Sequence, residues 1–197
     1  MTEAAIADPG LALRRAMCVG PGHGICCGRP ARENGWSADR QAFVQHYGDK
    51  VLDSSLLRMS SVGFVAPTDP MWASTLRAMD SELVTDSLVY RYDPGASPDG
   101  LQGSEGTFSL CTFSYVDALA RAGRLDDARL TFEKMLTYAN HLGLYSEEIA
   151  LTGEQIGNFP QAFTHLSLID AAITLDARLN AVTGPTGRPT HGRVPDG

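Results

Sequence analysis

The 197-residue sequence contains no apolar run long enough to span a bilayer. Its opening, MTEAAIADPGLALRR, lacks the basic segment and apolar stretch of a secretory leader, so a cytoplasmic location is expected. It also lacks a positive net charge, with a formal charge of −7 and a pI near 5.1. An acidic surface repels phosphate-rich polymers, which argues against nucleic acid or an anionic membrane as partner. Cysteine is scarce: Cys18, Cys26, Cys27 and Cys111. Three of the four crowd into CVGPGHGICCG beside His23, without the C-x2-C pair of common zinc sites. Neither a metal nor a cofactor is therefore expected. Cys111, within FSLCTF, reads as a core thiol. An apolar fraction of 43% with 20% charged residues suits a packed core of one domain, or part of a larger one.

Residues 1–34 carry little pattern, because Gly20, Pro21, Gly22, Gly24 and Gly28 break any helix there. Residues 181–197 form a Gly-, Pro- and Thr-rich tail expected to be disordered. Between them the spacing of apolar residues predicts five helices. The first is short, Asp53 to Ser61. The second, Asp69 to Leu83, opens on Asp69 as N-cap and Pro70 at N1. The third, Ser104 to Ala122, carries Phe108, Cys111, Tyr115, Ala118 and Leu119, with Gly123 as its C′ residue. The fourth, Leu125 to Asn140, presents Ala128, Phe132, Met135, Leu136 and Ala139. The fifth, Pro160 to Leu179, presents Phe163, Leu166, Ile169 and Ile173. LVYRY at 88–92 reads as a short isolated strand. Trp36, Trp72 and His165 read as structural residues.

Short and long connections alternate along this series. The joins at 62–68 and at Gly123–Arg124 are brief, whereas 85–103 and 141–159 are long. Antiparallel neighbours then gather the long loops at one end, where long loops in compact domains carry function. The fold class expected is all-α, a partial (α/α)6 toroid built of α-hairpins with functional loops at one end. A different class fits ALARAGRLDDARLTFEKML, which resembles one tetratricopeptide unit. No second copy stands 34 residues to either side, as a repeat array requires.

The loop HLGLYSEEIALTGEQIGNF at 141–159 holds Glu147, Glu148 and Glu154. Carboxylates in a loop are usually solvated surface, but the flanking residues are distinctive. LGLYSEE…TG.Q.GNFPQAFTHLSLIDAA resembles a segment of glycoside hydrolase family 15, the glucoamylases, glucodextranases and related bacterial trehalases. The segments GWSADRQAFVQHYGDKVLDSSLLRMSSVGFVAPTDP and LVYRYDPGASPDGLQGSEGTFSLCTF resemble further ordered motifs of the same family. The resemblance assigns residues 35–180 to the C-terminal half of the family's catalytic barrel. It implies that Glu147, first of the EE pair, is the general base. Arg91, Glu148 and Phe108 are implied as substrate-binding residues, although Phe108 also suits a core position and Arg91 an ion pair. Glu105 fits a helix N-terminus as well as a substrate contact. Ile149 and Ala150 replace the aromatic–acidic pair that usually follows EE.

The reaction implied is inverting hydrolysis of an α-glucoside such as trehalose or a malto-oligosaccharide. One carboxylate activates water while an acid protonates the leaving oxygen. Arg91 near Glu147 would favour the ionised base. The family's acid lies in a GIWE-like segment, and neither tryptophan here precedes a glutamate. The chain is therefore expected to be a truncated member, inactive unless a complementing N-terminal chain or self-association completes the site. Half a toroid also exposes an apolar patch. A non-catalytic carbohydrate-binding or helical-repeat module is the alternative.

Overall fold

The computed structural model of the protein describes residues 32–93 and 106–183. The cysteine-rich segment 18–27, Glu105 and the tail beyond Thr183 lie outside the described residues. The fold is all-α in architecture, with paired helices and short β-hairpins, and among the described residues the helices do not close into a barrel.

After helical residues 32–34 the described chain forms a short hairpin, β1 (Trp36–Ser37) on β2 (Ala42–Phe43). The Trp36 ring meets Phe43 edge-on at 5.3 Å. Trp72 is fully buried. The helix expected from Asp53 to Ser61 is instead a single 3-10 helix, Ser54–Arg58, capped by Asp53 through Ser55 N–H at 2.7 Å. Phe64 N–H and Val65 N–H both turn back to the Met59 carbonyl, so the chain folds over before an α-helix can propagate. Helix α1 (Pro70–Glu82) begins as its sequence predicts: Asp69 accepts from Met71 N–H at 2.9 Å, and Pro70 stands in the first turn.

The strand expected to be isolated has a partner next to it. β3 (Val84–Thr85) pairs with β4 (Leu88–Val89) across Asp86 and Ser87, whose φ values are 47° and 65°. Positive φ at both central residues matches the right-handed twist of a tight hairpin. Helix α2 (Ser109–Arg121) starts five residues later than expected, because Thr107 and Phe108 form strand β5 (Thr107–Phe108). It ends in a Schellman arrangement: Arg124 N–H donates to Leu119 and Gly123 N–H to Ala120, with Gly123 at φ 83°. Helix α3 (Leu125–Leu136) returns antiparallel to it.

Two short strands, β6 (Glu148–Ile149) and β7 (Gln155–Ile156), precede the last helix, α4 (Ala162–Thr183). Helix α2 lies at the centre. Every residue from Cys111 to Ala120 is buried, against α3, α4, the 3-10 helix and β4. The small residues Ala118 and Ala120 of α2 and Ala171 of α4 are fully buried.

The face assigned to α4 from sequence is the wrong one. Phe163 and Ile173 are 66% and 65% exposed, and Leu166 and Ile169 are exposed too. Thr164, Ser167, Ala171 and Leu175 are buried instead. The helix is apolar nearly all round, so periodicity does not single out the buried side. The outcome is an uncovered apolar stripe along α4.

One polar cluster ties three elements together. The Tyr115 hydroxyl of α2 donates to Asp80 of α1 at 2.5 Å, and Arg124, from the α2–α3 turn, pairs with the same carboxylate at 2.6 Å. Burial first, and then the bond to Asp80, push the Tyr115 phenol well above its ordinary value. Replacement of Tyr115 by Phe should lower unfolding free energy by about 1.5 kcal/mol, the worth of a hydrogen bond to a charged group, measured by urea denaturation. Above pH 10.0, the ordinary phenol value, the unfolded chain loses this proton while the folded chain keeps it. Stability therefore falls as pH rises there, and Tyr115→Phe should flatten that alkaline decline.

Candidate active site

The loop between α3 and α4 is tied down residue by residue. Asn140 Oδ1 accepts from both Leu142 N–H and Leu144 N–H at 2.9 Å, closing its first turn. Tyr145 is buried and meets Phe113 and His165 edge-on, at 5.5 and 5.8 Å. His165 packs as expected. Its Nδ1 lies 2.7 Å from the Gln161 carbonyl, which assigns the proton to Nδ1 and leaves Nε2 to accept from Tyr145 N–H at 3.3 Å. Ser146 donates to the Glu148 carbonyl at 2.6 Å, and Thr164 donates to the Ser146 carbonyl at 3.2 Å.

These ties deliver β6 to the middle of a three-stranded antiparallel sheet, β5–β6–β7. Thr107 lies opposite Ile149, Phe108 opposite Glu148, and Glu148 opposite Ile156. Glu147, just ahead of β6, is held on both sides of its backbone. Its carbonyl accepts from Ser109 N–H at 2.9 Å, and its N–H donates to the Asn158 carbonyl at 3.0 Å. Its carboxylate oxygen Oε2 accepts from Asn158 Nδ2 at 2.8 Å and from Asn158 N–H at 3.2 Å.

Glu147 lines a cavity of about 700 Å³, within the roughly 300–1,000 Å³ usual for small-molecule sites. Arg91 and Phe108 line the same space. The Arg91 guanidinium sits 4.9 Å from the centre of the Tyr92 ring and 5.8 Å from that of Phe108. Such stacking fixes the plane of the fork while leaving its N–H groups free to point elsewhere. The backbone beneath Arg91 is pinned, since its carbonyl accepts from Ser54 N–H at 2.8 Å and Ser54 Oγ donates to the Tyr90 carbonyl at 2.5 Å. No ion pair joins Arg91 to Glu147 among the described residues. Phe108 is buried as well as lining, so it serves core and cavity together. Cys111 is likewise buried at the cavity wall.

Glu148 stands apart from the cavity lining. Its carboxylate accepts from Gly106 N–H at 2.9 Å and braces β6 against the approach to β5. Adjacent side chains on an extended segment point to opposite sides, so Glu147 and Glu148 of the EE pair part company.

Sequence reasoning missed other lining groups, notably Asp53, Arg58 and Asp170. Arg58 and Asp170 form an ion pair at 3.6 Å, linking the 3-10 helix to α4. Asp53 carried a signal, as the cap of LDSSLL; Asp170 carried none once the wrong face of α4 was assigned. Among the described residues no cluster of three or more His, Cys, Asp or Glu could hold a metal ion, and no helix is long and apolar enough to cross a membrane.

Residues 23–173 match the family model for glycosyl hydrolases family 15. A trehalase of Mycobacterium tuberculosis (strain ATCC 25618 / H37Rv) is 46% identical over 135 residues, 68% of this chain and 20% of that protein. A trehalase of Thermoplasma volcanium is 43% identical over 149 residues, 75% of this chain and 23% of that protein. The chain thus spans about a fifth to a quarter of the length of these relatives. A solved glycosidase in complex with glucose shares the fold at a TM-score of 0.62 and 21% identity, over 74% of this chain and 41% of that one.

The sheet that holds Glu147 depends on a missing side chain. A Cβ at Gly106 would lie 2.5 Å from the Ile149 carbonyl oxygen, a backbone atom that cannot give way without opening the β5–β6 pair. Gly106→Ala should therefore cost about 1–3 kcal/mol of stability and abolish hydrogen-exchange protection of Thr107 and Ile149, read by amide exchange.

Proposed function

The chain belongs to glycosyl hydrolase family 15, and from that premise we propose that it carries the general-base side of an inverting α-glucosidase site. The substrate class is an α-glucoside such as trehalose or a malto-oligosaccharide, trehalose being favoured by the names of the relatives. The observation that carries this reading is that Glu147 and Arg91 line one cavity of about 700 Å³.

In this mechanism Glu147 takes a proton from water, and the water oxygen attacks the anomeric carbon from the face opposite the leaving group. The bond to the glycosidic oxygen breaks, and that oxygen takes a proton from a carboxylic acid on the far side. The two carboxyl groups stand about 6.5–9.5 Å apart so that the water fits between base and sugar. The negative charge of Glu147 also faces the positive charge that builds on the sugar ring. Arg91, stacked on Tyr92 and Phe108, offers its N–H groups to sugar hydroxyls. The other carboxylates of the described lining are engaged elsewhere, Asp53 in capping the 3-10 helix and Asp170 with Arg58. The proton donor in this scheme is therefore a carboxylic acid other than these.

A helical-repeat module would instead present a groove of helix faces alone. Here the loop carrying Glu147 and the strand-end residue Arg91 contribute to the cavity together with α2 and α4.

Calorimetric titration of the purified chain with trehalose and with maltose tests this reading. Arg91→Ala should weaken binding about 10- to 100-fold, the equivalent of a lost hydrogen bond to a charged group. Glu147→Gln should preserve binding and remove whatever turnover a completed site shows, which from trehalose releases one β-glucose and one α-glucose. Affinity indifferent to Arg91, or hydrolysis that survives Glu147→Gln, would count against the proposal.

A further inference from the structure

The two oxygens of the Glu147 carboxylate are not equivalent. Oε2 receives two donors from one residue, the Asn158 side-chain amide at 2.8 Å and the Asn158 backbone N–H at 3.2 Å. Among the described residues no donor engages Oε1. The backbone closes the same loop in reverse, since Glu147 N–H donates to the Asn158 carbonyl at 3.0 Å. Three hydrogen bonds between the same two residues, eleven positions apart, form a clamp rather than an incidental contact.

Gly157 makes room for it. A Cβ there would stand 3.1 Å from both Glu147 Cβ and Oε2, and its φ of 75° is one that L side chains rarely adopt. The segment Gly157–Asn158 is thus shaped around the carboxylate. Asn158 itself is exposed and contributes little to the core, so its bonds to Glu147 are what its side chain does in this fold.

We propose that Asn158 is the positioning residue of the base: it fixes Oε2 and thereby leaves Oε1 as the oxygen that takes the proton from water. This rests on the reading of Glu147 as the general base. A carboxylate free to rotate would present either oxygen over a range of angles. A base must meet the proton at about 2.6–3.2 Å between heavy atoms, and small misplacements of such groups slow reactions steeply. Two donors on one oxygen also hold the carboxylate in place without occupying the atom that does the chemistry. Glu148 shows the contrast, since its carboxylate accepts from Gly106 N–H and serves the sheet.

Nuclear magnetic resonance of the purified chain tests this without requiring turnover. In the unsubstituted protein, side-chain coupling constants of Glu147 should report one rotamer. In Asn158→Ala they should average over several, while the remaining amide spectrum stays unchanged. A second variant guards against misfolding of the first: in Glu147→Gln, which keeps side-chain size, the Asn158 side-chain amide resonances should move upfield as the charged acceptor is lost. A Glu147 rotamer that stays fixed in folded Asn158→Ala would overturn the proposal. So would Asn158 amide resonances that do not move in Glu147→Gln. Trehalose titration on the same samples separates the two levels of the account. Absent sugar binding with the clamp intact removes the functional reading, whereas sugar binding with Glu147 fixed in Asn158→Ala removes the clamp alone.

Discussion

Glu147 hangs between two backbone hydrogen bonds, one from Ser109 N–H at the head of α2 and one to the Asn158 carbonyl just before α4. That pair of bonds ties the candidate base to the two helices that pack most extensively against each other. Ser109 is the first residue of α2, so its N–H has no partner within the helix. The Glu147 carbonyl satisfies that orphan donor and at the same time anchors the loop. The requirement that buried backbone groups be paired thus places the carboxylate, before any side-chain chemistry enters.

Around that anchor the rest of the molecule acts as a frame. Helix α2 is buried from Cys111 to Ala120, and small residues let α4 lie close against it. On one side the Asp80–Tyr115–Arg124 cluster locks α1 and the α2–α3 turn to it. On the other side Arg121 links α2 to α4, bonding Asp117 at 2.8 Å and Thr174 at 3.2 Å. The cavity opens at the end where these helices meet the loops. Its far wall is the apolar stripe of α4, with Phe163, Leu166 and Ile169 exposed. A sugar site of the kind proposed thus combines a rigid floor of helix and sheet with side chains aimed from loops.

Much of this was legible in the residues themselves. Asp69 with Pro70, and Gly123 after a buried run, marked helix ends because capping chemistry is local. The alternation of short and long connections pointed to the hairpin plan, and the EE loop beside GNFPQAF singled out Glu147, which lines the cavity. What was not legible depended on partners distant in sequence. The start of α2 shifted to Ser109 because Thr107 and Phe108 pair with residues some forty positions away. The buried face of α4 was hidden because the helix is apolar nearly all round, so its neighbours decide which side is covered. The separate paths of Glu147 and Glu148 follow from the sheet register, and Asn158, inside an already quoted motif, shows its link to Glu147 only in three dimensions.

The most direct measurement is a crystal structure of the chain bound to a cationic amino-sugar analogue of glucose, which mimics the charge that develops at the reacting carbon. The account predicts the ring in the cavity, with Arg91 N–H groups on its hydroxyls. Glu147 Oε1 should lie within about 3.2 Å of the water or cationic centre at the anomeric position, with Oε2 still held by Asn158. An analogue seated away from Glu147 and Arg91, or a Glu147 carboxylate turned from the ring, would contradict it.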